Sequence, residues 1–143
     1  MPEHRALTER IIGLAIEVHR TVRPGLLESV CEECLCLCLE LEQAGIPFAS
    51  QIMVPVIYKG KTIPPGFRAD ILAANAIVLE IKAVTVLVPA HEAQILTYLR
   101  MSHLRVGLLM NFHTSRLKDG LLRFIVWHVQ TSVRLRGSPR SPW

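Results

Sequence analysis

The stretch FRADILAANAIVLEIK, residues 67–82, combines two apolar, strand-like runs with charged residues inside them. Asp70 lies in the first run, and Glu80 and Lys82 lie in the second. A carboxylate or ammonium group without a partner is costly to bury in the core of a sheet. We therefore expect these charges to hold something, and a divalent cation is the natural candidate.

The turn between the two runs decides whether the acidic residues meet. Glu80 and Lys82 are two residues apart in a strand, so their side chains leave the same face. With a two-residue turn at Ala74-Asn75, Asp70 would pair with Leu79 and point away from Glu80. A three-residue turn or a bulge would make Asp70 oppose Glu80. The hypothesis of a metal site therefore requires an odd-numbered turn.

Two carboxylates that oppose each other across strands lie within about 5 Å. Both cannot stay ionised in a partly buried site unless a cation lies between them. Oxygen ligands suit Mg²⁺ or Mn²⁺, and Lys82 on the same face could orient a water molecule and stabilise a phosphoryl transition state. This arrangement fits hydrolysis of a phosphodiester. Residue types alone leave open a structural alternative, an Asp–Lys or Glu–Lys ion pair on a solvent-exposed face.

The length and composition indicate one globular domain. The chain has 143 residues, of which 50% are hydrophobic and 20% are charged. We assign residues 1–130 to a single domain and residues 131–143 to a flexible basic tail. No apolar run reaches the roughly 18 residues of a membrane span, and the N-terminus lacks the apolar region of a signal peptide. We expect a cytoplasmic protein with no membrane partner.

The positive charge is concentrated in the tail. The chain has a net charge of +4, and Arg134, Arg136 and Arg140 account for three of these charges. The high isoelectric point is therefore weak evidence for a DNA-binding face on the domain. The tail either adds loose affinity for phosphate or only increases solubility, and we favour the second interpretation.

The hydrophobic periodicity predicts a mixed α/β domain with one central sheet. Helices are expected over about residues 7–21, 26–44 and 89–101. Strands are expected over residues 51–58, 62–63, 67–72, 76–82, 104–110 and 121–129, with Pro64-Pro65-Gly66 interrupting the second and third. Pro55 within the first strand indicates an edge strand or a bulge. The four cysteines at positions 31, 34, 36 and 38 are expected to be small packing residues of the second helix, without zinc or disulfides.

Several segments carry a resemblance to a known family. Asp70, followed after nine residues by Glu80-Ile81-Lys82, resembles the signature of the PD-(D/E)xK nuclease superfamily. Roughly residues 7–128 resemble the GxxExxY family within it. The matching segments are AIEVH (15–19), PGLLESV (24–30), EIKA (80–83), HEAQILTYL (91–99), VGLLMNF (106–112) and KDG (118–120).

The resemblance implies a restriction-endonuclease-like core, in which a central mixed sheet is flanked by helices. It implies that Glu28 is a further metal-site carboxylate beside Asp70 and Glu80. It also implies that Gln94 lines the active site, with Tyr98 one turn further along the same helical face. Cys31 stands where the family name requires a tyrosine. His19 and His91 are expected to be structural residues rather than metal ligands.

These features predict a Mg²⁺- or Mn²⁺-dependent nuclease that acts on DNA, with Glu28, Asp70, Glu80, Lys82 and Gln94 as its site residues. Endonuclease and exonuclease activity both remain open. A homodimer is one arrangement that would suit cleavage of a duplex. The main alternative is an inactive interaction or regulatory module that keeps the nuclease fold. A weaker alternative is a metal-dependent hydrolase of another phosphate ester, such as a nucleotide.

Overall fold

The computed structural model describes residues 4–22 and 30–127. These ranges contain three α-helices, five strands and one short 3-10 helix. The elements in chain order are α1 (Arg5–Val22), α2 (Val30–Gln43), β1 (Phe48–Tyr58), β2 (Lys61–Ala73), β3 (Ile77–Lys82), α3 (Pro89–Ser102), β4 (Val106–Asn111), the 3-10 helix (Leu117–Gly120) and β5 (Leu121–Ile125).

Within these ranges the strands form one mixed sheet in the order β1-β2-β3-β4-β5. Strands β3 and β4 are parallel, and each of the other neighbouring pairs is antiparallel. A parallel pair needs a crossover connection, which α3 provides here. The predicted α/β fold, with a central mixed sheet flanked by helices, is confirmed.

The helices cover both faces of the sheet. Leu79 of β3 packs in the core cluster that α1 and α2 build on one face. Val78 packs with Ile95 in the cluster that α3 builds on the other face. Because side chains alternate along a strand, Glu80 and Lys82 leave β3 on the face that α3 covers.

Gly107 allows α3 to lie close to β4. A Cβ atom at this position would be 2.9 Å from Ile95 Cδ1 and 3.2 Å from Leu99 Cδ1. A larger residue would therefore push the helix away from the sheet. The absence of a side chain at Gly107 keeps α3 within reach of the polar residues of β3.

Strand β1 forms one edge of the described sheet, and its pairing with β2 contains a bulge. The register shifts between Val54 and Val56, so residues 64–66 of β2 lie opposite Pro55 alone. Both expectations for Pro55, an edge strand and a bulge, are confirmed. The predicted interruption of the return strand is wrong, because β2 is continuous from Lys61 to Ala73. A bulge accommodates prolines, which cannot donate to a regular ladder.

The first and third predicted helices are confirmed as α1 and α3, and the apolar run before Met110 is confirmed as the buried strand β4. The predicted start of the second helix and the predicted end of the last strand lie outside the described residues. The same is true of the basic tail, so the division at residue 130 stays a prediction. No helix in the described ranges is both long and apolar enough to span a membrane.

The described cysteines of α2 are packing residues with free thiols. Cys34 is buried, and Cys36 and Cys38 are half-buried. Burial raises the pKa of the Cys38 thiol, which keeps it protonated and unreactive at neutral pH. The side chain of Cys31 lies outside the described residues.

Candidate active site

The connection between β2 and β3 has the odd length that the metal hypothesis requires. Ala73 pairs with Ile77, so the turn consists of the three residues 74–76. Ala74 and Asn75 both adopt left-handed backbone conformations, with φ of 54° and 52°. The structure therefore meets the condition that the metal hypothesis set, and this register brings Asp70 opposite Glu80.

The two carboxylates replace the regular ladder at this point. The paired register of β2 and β3 reaches Ile71 and Leu79. Beyond it, the Asp70 N–H donates to Glu80 Oε1 at 2.9 Å. The Ile81 N–H in turn donates to Asp70 Oδ2 at 2.8 Å. A backbone N–H of each strand therefore binds the acidic side chain of the other strand.

Burial makes this pair electrostatically unfavourable without a cation. Glu80 is only 5% exposed. Burial, together with the neighbouring Asp70 charge, raises the pKa of Glu80 to about 7. Burial also raises the pKa of Asp70, and the Ile81 N–H, Lys82 and Arg68 oppose that rise. Two acids in this environment favour either a shared proton or a bound positive ion.

Lys82 and Gln94 meet beside the pair. Lys82 Nζ donates to Gln94 Oε1 at 3.2 Å, which joins β3 to α3. The structure thus brings together four of the five residues predicted for the site: Asp70, Glu80, Lys82 and Gln94. The fifth, Glu28, lies outside the described residues.

Tyr98 lies one turn after Gln94 on α3, close enough to Glu80 to be affected by its charge. Its side chain is buried. Burial, with a further contribution from the Glu80 charge, raises the pKa of Tyr98 to about 12. The phenol therefore keeps its proton at neutral pH and is available as a hydrogen-bond donor near Glu80.

The two histidines in the matching segments have structural contacts. His91 Nδ1 accepts a hydrogen bond from the Val88 N–H at 3.0 Å, which caps the start of α3. His19 Nε2 bonds to the Thr114 carbonyl at 2.8 Å, and its ring contacts Phe112. These contacts agree with the expectation that both residues serve the fold.

Asn111 supports the site, and its role was not predicted from the sequence. It pairs with Lys82 in the parallel ladder and is 3% exposed. Its Nδ2 donates to the Val84 carbonyl at 2.9 Å, and its Oδ1 accepts from the Val84 N–H at 3.0 Å and the His113 N–H at 3.2 Å. The amide fixes the chain just after Lys82. The signal in the sequence was a polar residue that ends the otherwise apolar strand β4.

The donor chemistry of the pair fits a hard divalent cation. Considering the described residues, Asp70 Oδ1 and Glu80 Oε2 accept no hydrogen bond, which leaves one oxygen of each carboxylate available. In the same ranges, no group of three His, Cys, Asp or Glu side chains is arranged to hold an ion. Among the described residues, the candidate ligands are therefore Asp70 and Glu80, which we call the carboxylate pair.

The fold and the carboxylate pair together define a restriction-endonuclease-like α/β domain. The family model of the PD-(D/E)XK nuclease superfamily matches residues 5–124, which is most of the chain. The chain belongs to this superfamily. Neither the curated proteins nor the solved structures contain a significant match. PD-(D/E)XK nucleases generally use divalent metal ions and act on nucleic acid.

Proposed function

We propose that this chain is a nuclease that hydrolyses phosphodiester bonds of DNA with Mg²⁺ or Mn²⁺ as its cofactor. The observation that carries the proposal is the opposition of Asp70 and Glu80, each held by a backbone N–H of the other strand. Asp70 and Glu80 would hold the ion, and Glu28 is proposed as a further ligand on the strength of the GxxExxY resemblance.

The bound ion would supply Lewis-acid polarisation and neutralise charge between the carboxylates. Lys82 is proposed to orient the attacking water and to stabilise negative charge as it develops on the phosphate. Gln94 accepts a hydrogen bond from Lys82 and so restricts where the ammonium group points. Tyr98 keeps its proton and can donate a hydrogen bond beside Glu80.

Further parts of the proposal rest on the sequence alone. We propose membership of the GxxExxY branch, in which Cys31 replaces the tyrosine of the family name. A thiol there cannot supply the strong hydrogen bond of a tyrosine hydroxyl, so Glu28 would be held differently. A cytoplasmic location and a homodimer with two sites stay predictions from the sequence.

The direct test is cleavage of labelled single-stranded, duplex and branched DNA, with RNA and nucleotides as comparison substrates, in Mg²⁺, Mn²⁺ or chelator. We expect metal-dependent cleavage of DNA, and we expect it to fall in Asp70→Asn and in Glu80→Gln by more than the roughly 10- to 100-fold that loss of an outer-shell partner of a metal costs. Glu9→Gln is the matched control, because Glu9 is exposed and its ion pair among the described residues is with Arg5 of the same helix.

The outcomes separate the candidate functions. Turnover of nucleotides without cleavage of DNA would indicate a different phosphate-ester hydrolase. If no substrate is turned over in either metal, the nuclease proposal is wrong and the inactive interaction module becomes the better account. Equal activity of Glu80→Gln and wild type would also contradict the assignment of the carboxylate pair.

A further inference from the structure

Strands β1 and β2 continue past the carboxylate pair as a two-stranded extension. In the described sheet, β2 pairs with β3 only from Ile71 to Ala73, and β3 ends at Lys82. The remaining residues of β2 pair with β1 alone, down to the two-residue turn at Lys59-Gly60. We call residues 52–58 and 61–69 together with this turn the β1–β2 arm. At about 3.3 Å per residue, its strands extend about 20 Å.

The charge of the arm has one sign. No acidic residue occurs in the sequence between Glu42 and Asp70, whereas Lys59, Lys61 and Arg68 lie within it. Lys59 and Lys61 flank Gly60 at the tip and have no acidic partner among the described residues. Arg68 lies two residues before Asp70, at the base of the arm. Positive charge therefore lies at both ends of the arm, at its tip and beside the carboxylate pair.

The arm also exposes apolar and aromatic side chains. Tyr58 is 60% exposed and Ile57 is 51% exposed, and Met53 and Ile63 are exposed as well. The Lys59 ammonium lies 5.3 Å from the centre of the Tyr58 ring. Exposed aromatic and apolar groups beside lysines are suited to contact sugar and base surfaces while the lysines contact phosphates.

The base of the arm is anchored to the site. Val54 packs against the core cluster of α3, which also contains Tyr98. At Gly66, a Cβ atom would lie 2.6 Å from the Val54 carbonyl oxygen, so the two strands are in close contact at the bulge. The base of the arm therefore packs against the helix that supplies Gln94 and Tyr98.

We propose that the β1–β2 arm holds the phosphate backbone of the DNA substrate next to the carboxylate pair. The proposal rests on the nuclease function proposed above and names the surface that binds the substrate. An arm of about 20 Å is long enough to contact several phosphates, because each strand of a duplex carries one phosphate per about 3.4 Å of helix axis.

Nucleic acid is a better occupant of this surface than a second copy of the chain. Pro55 and the bulge opposite it interrupt the outer edge of β1, and these features oppose the addition of another strand. A symmetric contact through the tip would bring together Lys59 and Lys61 of both copies without an acidic partner. Phosphates supply the missing negative charge.

The test is the salt dependence of DNA binding. Fluorescence anisotropy with a labelled 20-base-pair duplex in chelator measures binding without cleavage, over about 50 to 300 mM salt. In Lys59→Gln/Lys61→Gln, we expect affinity at the lowest salt to fall at least 10-fold. The slope of log affinity against log salt should decrease in magnitude by about 2, because two phosphate contacts are lost.

A double variant elsewhere provides the matched control. Arg116→Gln/Lys118→Gln removes two charges at the same sequence spacing, from the groove of about 460 Å³ beside the end of α1. We expect its affinity and salt slope to match those of wild type. Equal loss in both double variants would show that only the total charge matters, and this result would overturn the proposal.

Two further results would also overturn it. The first is no measurable binding by wild type at 50 mM salt. The second is an arm variant whose salt slope is the same as that of wild type but whose sedimentation coefficient differs. This result would indicate that the arm mediates contact between two copies of the chain. Since binding is measured without metal, an inactive protein that binds through the arm would contradict the nuclease proposal alone.

Discussion

At the residue scale, the site consists of Asp70 and Glu80. Each carboxylate accepts a hydrogen bond from a backbone N–H of the opposite strand. The identities of Asp70, Glu80 and Lys82 could be predicted from charges inside apolar runs. Their opposition could not, because a turn of small residues such as 74–76 permits either an even or an odd length. The structure uses positive φ at Ala74 and Asn75, a choice that the residue types do not dictate.

The pKa of Glu80 leads to a prediction about stability. Its carboxyl has a usual pKa of 4.5, and the fold raises this pKa to about 7. Below pH 4.5 the group is protonated in both folded and unfolded chains. As the pH rises from 4.5 to 7, the unfolded chain releases its proton first, so the free energy of unfolding of metal-free protein falls.

Glutamine resembles the protonated acid and does not titrate. In chelator at pH 8.5, we therefore expect Glu80→Gln to be more stable than wild type by roughly 2 to 4 kcal/mol. At pH 4 the difference should be small. Urea unfolding across this pH range measures it, with the exposed Glu9→Gln as the control. A difference that is constant with pH would contradict the raised pKa.

At the element scale, the prolines and glycines determine how β1 and β2 pair. The sequence indicated a bulge or an edge at Pro55, and both are present. It also suggested that Pro64-Pro65-Gly66 would break the second strand, which is wrong. The sequence shows that a proline cannot donate a hydrogen bond to a neighbouring strand. Whether a bulge accommodates the proline depends on the partner strand, which a local sequence pattern does not reveal.

Two glycines of this hairpin allow a controlled prediction. Gly60 and Gly66 have nearly the same backbone conformation, with φ of 80° and 79°. A Cβ atom at Gly60 would meet nothing within 4 Å, whereas at Gly66 it would lie 2.6 Å from the Val54 carbonyl oxygen. The left-handed conformation alone costs an alanine about 1 kcal/mol.

We therefore expect Gly60→Ala to cost about 1 kcal/mol of unfolding free energy, and Gly66→Ala to cost about 1 to 3 kcal/mol more. Chemical denaturation of the two variants beside wild type measures both costs. Equal costs would mean that the strands separate at the bulge without penalty, in conflict with the close contact described for the arm.

At the scale of the whole molecule, the sheet order and the helices bring distant segments to one place. The order of elements and the α/β class could be predicted from hydrophobic periodicity. The meeting of Lys82 with Gln94 followed from the resemblance rather than from spacing. The role of Asn111 was missed, because a hydrogen bond to Val84 depends on the parallel pairing of β3 with β4.

The charge distribution also became clear only at this scale. A net charge of +4 that lies mostly in the tail gave little support for a binding face on the domain. The pairing of β1 with β2 brings Lys59, Lys61 and Arg68 onto one extension that contains no acid. The net charge of the whole chain does not reveal such a surface, because acidic residues on the helices offset its positive charge in the sum.

The central claim is that Asp70 and Glu80 form a divalent-cation site. Isothermal titration calorimetry with Mn²⁺ at pH 8 tests it most directly, because both carboxylates are then free to bind. We expect saturable binding to wild type and to Glu9→Gln, and a loss of at least 10-fold in affinity in both Asp70→Asn and Glu80→Gln. Unchanged Mn²⁺ affinity in Asp70→Asn and Glu80→Gln would contradict the claim.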